Sequence, residues 1–108
     1  MCMIGVKELI WSGTSGSDMN IDVYDTYATS KTGKMIHFDV FLPSGESKEK
    51  ALYYAKMFLV SIGETAESLK SERCIFCHTE SAHSSIEVVI AQSGHYILQM
   101  EGCPNQNR

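Results

Sequence analysis

The chain has 108 residues, 44% of them hydrophobic and 20% charged, with a net charge of −4 at pH 7. That is enough material for one core and too little for two, and the composition excludes a disordered tail, a collagen-like repeat or a coiled coil. The acidic balance disfavours a general nucleic-acid binder, and no apolar run is long enough to span a bilayer, so neither nucleic acid nor membrane is expected as a partner.

Residues 1–18 read as a lead-in. Ser12-Gly13-Thr14-Ser15-Gly16-Ser17-Asp18 is small and polar and separates Ile10-Trp11 from the first strand signal. The lead-in is expected to be a loose extension, or to precede a true start at Met19. Met1 to Val6 is apolar, but Lys7 and Glu8 interrupt it and no basic segment or cleavage site frames it, so a cytoplasmic location is expected. Residues 19–103 read as the single domain and 104–108 as a tail.

Ile21 to Tyr27 is rich in β-formers, Lys31-Thr32-Gly33-Lys34 reads as a turn, and Met35 to Leu42 as a second strand. Ile36, Phe38, Val40 and Leu42 share one face of that strand, and Met35, His37, Asp39 and Phe41 the other. The two strands form a hairpin whose register is open by one residue; one choice sets Asp25 beside Asp39. Ser47 is the expected N-cap of a helix to about Ile62, with a stripe of Ala51, Leu52, Ala55, Phe58, Leu59 and Ile62 and with Gly63 at its end. A short third strand is expected within Ala66 to Lys70. Ser84 and Glu87 have capping-box spacing for a second helix carrying Ile86, Val89 and Ile90 and closed by Gly94; His95 to Met100 reads as the last strand. The predicted class is α+β, a small four-stranded mixed sheet in the order β-β-α-β-α-β with two helices packed on it.

The chemical signal lies in Cys74-Ile75-Phe76-Cys77-His78. A tight turn with C-x-x-C spacing brings two thiolates to one tetrahedral ion, and Cys103 is the next soft ligand, with His78, His83 and His95 competing for the fourth position. If the third and fourth strands are parallel neighbours joined by the second helix, Cys74 and Cys103 end at the same edge of the sheet. C-x-x-C-H is also a haem attachment pattern, but no export signal or mostly helical fold accompanies it, so no haem is expected. A thioredoxin-type pair would open a helix directly, whereas here the helix begins seven residues after Cys77. The plain alternative is a packed turn, since free cysteine is among the most buried residue types. A secondary cluster is Asp25, His37 and Asp39, on neighbouring strands; its alternatives are acid–base chemistry, a hard metal, or a solvated sheet face.

Tyr24-Asp25-Thr26-Tyr27, His37-Phe38-Asp39-Val40, Ser61-Ile62-Gly63-Glu64, Cys74-Ile75-Phe76-Cys77-His78 and Met100-Glu101-Gly102-Cys103 occur in that order. Together they resemble the bacterial domain-of-unknown-function family 2024, over about Met19 to Cys103. The resemblance implies a small single-domain α/β fold, adds no activity, and matches Cys74, Cys77, His78 and Cys103. The leading expectation is thus a cytosolic domain holding zinc, as a structural ion, through Cys74, Cys77, His78 and Cys103. Its alternatives are a metal-free protein-binding or regulatory module with core cysteines, and a small enzyme using Asp25, His37 and Asp39 or a reactive Cys77.

Overall fold

In the computed structural model, which describes residues 19–70 and 73–104, the two β-rich segments pair as a long hairpin. Strand β1 (Asn20–Thr29) runs antiparallel to β2 (Met35–Pro43), followed by α1 (Lys48–Ser61), a 3-10 turn (Ala66–Ser68), β3 (Cys74–Ser81), α2 (Ser84–Ser93) and β4 (Tyr96–Gln99). The order β-β-α-β-α-β, the four strands and the two helices are as the sequence predicts. The expectations on residues 1–18 and 105–108 lie outside the described residues.

Alternation in β2 sorts the sheet into two faces. Ile36, Phe38, Val40 and Leu42 are all buried and meet Ala51, Ala55 and Leu59 of α1, with Leu52, Phe58 and Ile62 packed beside them, so the predicted stripe is the face that docks. Ser47 caps α1 as expected, its hydroxyl accepting from the Lys50 N–H at 3.2 Å. On the opposite face, Ile21, Val23 and Phe41 form a smaller cluster with Ile90 of α2 and Ala82. That cluster fills one end of the face and leaves the half carrying Asp25, Tyr27, His37 and Asp39 uncovered by it. The N-cap of α2 is His83, with Ser84 inside the first turn, so the expected capping box is not formed. Among the described residues no helix is long and apolar enough to cross a membrane.

Two expectations are corrected. The sheet is antiparallel at every pairing rather than mixed, with spatial order β3-β1-β2-β4. The third strand is also not at Ala66 to Lys70, where the chain makes a 3-10 turn; it is the cysteine segment itself. Ile75, Phe76 and Thr79 are good strand formers once β1 offers a free edge, whereas Glu67 and Lys70 have no apolar partner row to fill. The third and fourth strands are therefore at opposite edges, and α2 connects across the hairpin.

Asp22 holds the end of the hairpin to its neighbours. Its carboxylate accepts from the Thr79 hydroxyl at 2.6 Å, the Ser44 hydroxyl at 3.1 Å and the Gly45 N–H at 3.1 Å. Burial alone would raise its pKa, but these donors outweigh burial and hold it below the ordinary carboxylate value. At the other end of β2, Gly102 (φ +80°) folds the chain after β4 tightly over Met35, and a Cβ there would overlap the Met35 carbonyl oxygen. Gly33 has a similar φ of +88° but faces open space. Gly33→Ala should therefore lose only the left-handed backbone term, about 1–2 kcal/mol. Gly102→Ala should lose about 1–3 kcal/mol more from overlap. Urea unfolding of the two variants side by side checks this, and equal losses would show that the chain after β4 is not tightly seated.

Candidate functional site

The hairpin register pairs Asp25 with Asp39 and Tyr27 with His37, and antiparallel partners project to the same side. Three of these four side chains converge. His37 Nε2 lies 3.6 Å from Asp25 Oδ1 and 3.8 Å from Asp39 Oδ1. One ligand atom from each of the three falls within 4.8 Å of the others. The fourth, Tyr27, stacks on the imidazole with ring centroids 4.3 Å apart and planes 8° from parallel, and the Arg73 guanidinium lies 5.6 Å from the Tyr27 ring. The His37 main chain is held as well. Its N–H donates to Glu101 O at 2.8 Å, and its carbonyl accepts from Met100 N at 3.1 Å and from the Cys103 thiol at 3.5 Å. Ring and backbone are thus oriented independently.

The group is electrostatically unsettled. His37 Nε2 and Asp39 Oδ1 are both shut off from solvent, and neither has a hydrogen-bond partner. Their separation is too long for a hydrogen bond, and buried polar atoms left unpaired are costly. Burial pushes Asp39 up to about 7; the facing Asp25 carboxylate pushes the same way, Glu80 adds to this and His78 opposes it. Two facing carboxylates, one of them largely buried, hold a proton more tightly than either would in water.

The cysteines do not cluster. Cys74 opens β3 on the α1 side of the sheet, fully buried, and its sulfur accepts a weak bond from the Thr26 hydroxyl at 3.6 Å. Cys103 is buried beyond β4, donating to the His37 carbonyl. Two strands separate their edges, so the parallel-crossover geometry that was to unite them is absent. Burial raises both thiols, which favours their protonated form. Cys77 is exposed. C-x-x-C in an extended strand spreads its ends by about 10 Å, where a tight turn would bring them together. Of the competing histidines, His83 starts α2, His95 stacks on Tyr54 at 3.9 Å, and His78 lies with Cys77 and Glu80. The set Cys74, Cys77, His78, Cys103 is therefore not a common zinc site, whereas Asp25, His37 and Asp39 are brought together.

Glu80 is the residue that sequence reasoning missed. The pairing of β3 with β1 shifts by one residue between Val23 and Tyr24, leaving Cys77 as the extra residue of a bulge. After it His78 is opposite Val23 and Glu80 opposite Ile21, on the face that carries Asp25. The His78–Glu80 alternation was a readable signal; the bulge beside it was not.

Because Asp39 is easier to protonate in the fold, its contribution to stability is complete below the ordinary value of 3.8 and is lost as pH rises through about 7. Asp22 acts in the opposite sense and only at lower pH, below 3.8. In chelator, wild-type stability should therefore fall between about pH 4 and 7, the interval lying between those limits. Asp39→Asn should not show that decline and should be the more stable protein at the alkaline end. Urea midpoints across that interval test this, and parallel curves for the two proteins would show that Asp39 is not the titrating group.

The profile of a family described as a domain of unknown function, DUF2024, matches residues 19–100. The NMR structure of protein NE1680 from Nitrosomonas europaea is similar to this chain at 46% sequence identity, covering 79% of this chain and 99% of that one with a TM-score of 0.70. No curated protein matches significantly.

Proposed function

This chain belongs to the DUF2024 family, and for it we propose a divalent-metal-binding function centred on Asp25, His37 and Asp39. The observation that carries the reading is the pair of buried, partnerless atoms His37 Nε2 and Asp39 Oδ1 facing one another at 3.8 Å. Ligands about 2.0–2.2 Å from a tetrahedral ion are roughly 3.4 Å apart, so the observed spacings suit a shared cation far better than a direct hydrogen bond. A cation also reverses the cost of Asp39: the charge that burial and Asp25 disfavour becomes the form the ion requires. Two carboxylates and one imidazole suit a borderline or hard divalent ion such as zinc or manganese.

Three protein ligands on a half-open face leave coordination positions for water or substrate. That is the arrangement of a reactive rather than a closed structural ion. The metal would supply Lewis acidity, while Tyr27 and the Glu101–His37 backbone bond hold the imidazole in place.

Chelator-treated full-length protein should bind one zinc or cobalt ion per chain, and the fold should gain about 2.7 kcal/mol when free metal is a hundredfold above Kd. Binding should strengthen from pH 5 to 8, because the proton held near Asp39 must leave before the ion enters. Asp39→Asn and His37→Ala should each weaken binding at least tenfold, with Cys74→Ala and Cys103→Ser keeping the stoichiometry. Calorimetric titration measures all four variants. Metal retained by Asp39→Asn but lost by Cys103→Ser would overturn the assignment.

A further inference from the structure

A second group of reactive side chains shares the face of the metal site without belonging to it. Cys77 Sγ is 3.1 Å from His78 Nδ1, and His78 Nε2 is 2.6 Å from Glu80 Oε1. Consecutive residues of a regular strand point to opposite faces; the bulge at Cys77 is what lets the thiol and the imidazole meet. The roles of the ring nitrogens follow from the ends of the row. An ionised carboxylate only accepts, so Nε2 carries its hydrogen toward Glu80, and in the neutral ring Nδ1 is left to accept from the thiol. This is the logic of a nucleophile, a base and a group that orients the base.

The geometry also selects among thiol chemistries. Cys74, the only cysteine within a few residues, is buried on the opposite face, and Cys103 is beyond the other edge of the sheet, so among the described residues Cys77 has no resolving partner for dithiol redox cycling. Among the described cysteines, what remains is single-thiol chemistry. The thiol lies within hydrogen-bond distance of His78 Nδ1, so its proton has an acceptor at hand and is taken during attack. The Glu80 carboxylate at the end of the row disfavours an anionic substrate, and Ile75, exposed on the same face opposite Asp25, offers an apolar surface.

We propose that Cys77, His78 and Glu80 form an acyl-accepting thiol site for uncharged esters or thioesters with an apolar acyl group. Sγ attacks the acyl carbon, and the S–C bond forms as the thiol proton passes to His78 Nδ1. The bond to the leaving oxygen or sulfur then breaks, and that atom takes the proton from His78. Water, deprotonated by the same nitrogen, later releases the acyl group as a carboxylic acid and restores the thiol. Glu80 is a positioning residue for the imidazole. Cys77, His78 and Glu80 are distinct from the proposed ligands Asp25, His37 and Asp39, and the test is run in chelator so that no bound ion contributes.

The probe is p-nitrophenyl acetate with the full chain. The expected result is a burst of one nitrophenolate per chain and one acetyl group on Cys77 by peptide mass spectrometry, with neither in Cys77→Ser. His78→Ala should slow acylation roughly a hundredfold. Glu80→Gln should fall between the two and be partly rescued by Glu80→Asp. Alkylation by iodoacetamide at a pH where the thiol is already ionised should be the same in all of the variants that keep Cys77, which a merely structural defect would not allow. All three positions are exposed, so the variants should melt like wild type. Absence of acylation in the wild type, acetyl groups confined to lysines, or a His78→Ala rate equal to wild type would each overturn the proposal.

Discussion

The β1–β2 register governs both the core and the site. Ile36, Phe38, Val40 and Leu42 must all face α1, and a slip of one residue would turn the four toward solvent. Each large buried side chain is worth about 1.5–3 kcal/mol, so the slipped register is not competitive. The ends of the hairpin repeat the instruction. Asp22 gathers Ser44, Gly45 and Thr79 at one end, and at the other Ser30 N–H donates to Lys34 O at 2.8 Å across the turn. The polar face has no choice in the matter: once the apolar residues of β2 are buried, Asp25 faces Asp39 and Tyr27 faces His37. The carboxylate repulsion at Asp39 is tolerated because the opposite face sets the register.

The edges of the sheet divide the remaining work. At the β4 side the chain turns back at Gly102 so that Glu101, Met100 and Cys103 bond the His37 backbone, and this gives Cys103 a role through shape and hydrogen bonding rather than ligation. At the β3 side the bulge at Cys77 changes the direction of one side chain and places three reactive groups on the face of the acid pair. Edge strands commonly carry bulges that disturb pairing with other chains, and here the same irregularity aims a thiol. Because α2 packs over Ile21, Val23 and Phe41, half of this face is structural and half is open to chemistry.

Much of the architecture was legible in local pattern. The period-two alternation of β2, the stripe of α1 with its Ser47 cap, and Gly94 at the end of α2 all rest on neighbours within a few residues. Membership of the family was legible too, from five short motifs in order. The cysteine segment misled because C-x-x-C spacing suits a tight turn and a β-strand alike; which one forms depends on whether a partner edge exists, and β1 is fifty residues away in sequence.

By itself the sequence determined the α+β class, the element order and the composition of the α1-facing core, since hydrophobic periodicity and caps are properties of short stretches. It also named Asp25, His37 and Asp39 as candidates, conditional on one of two registers. Tertiary structure alone decided that register, the antiparallel order β3-β1-β2-β4, and with it the separation of Cys74 from Cys103. Strand order is set by which apolar faces can be covered at once and which edge is free when a late segment arrives. Those are relations between residues far apart in the chain, and no local pattern encodes them.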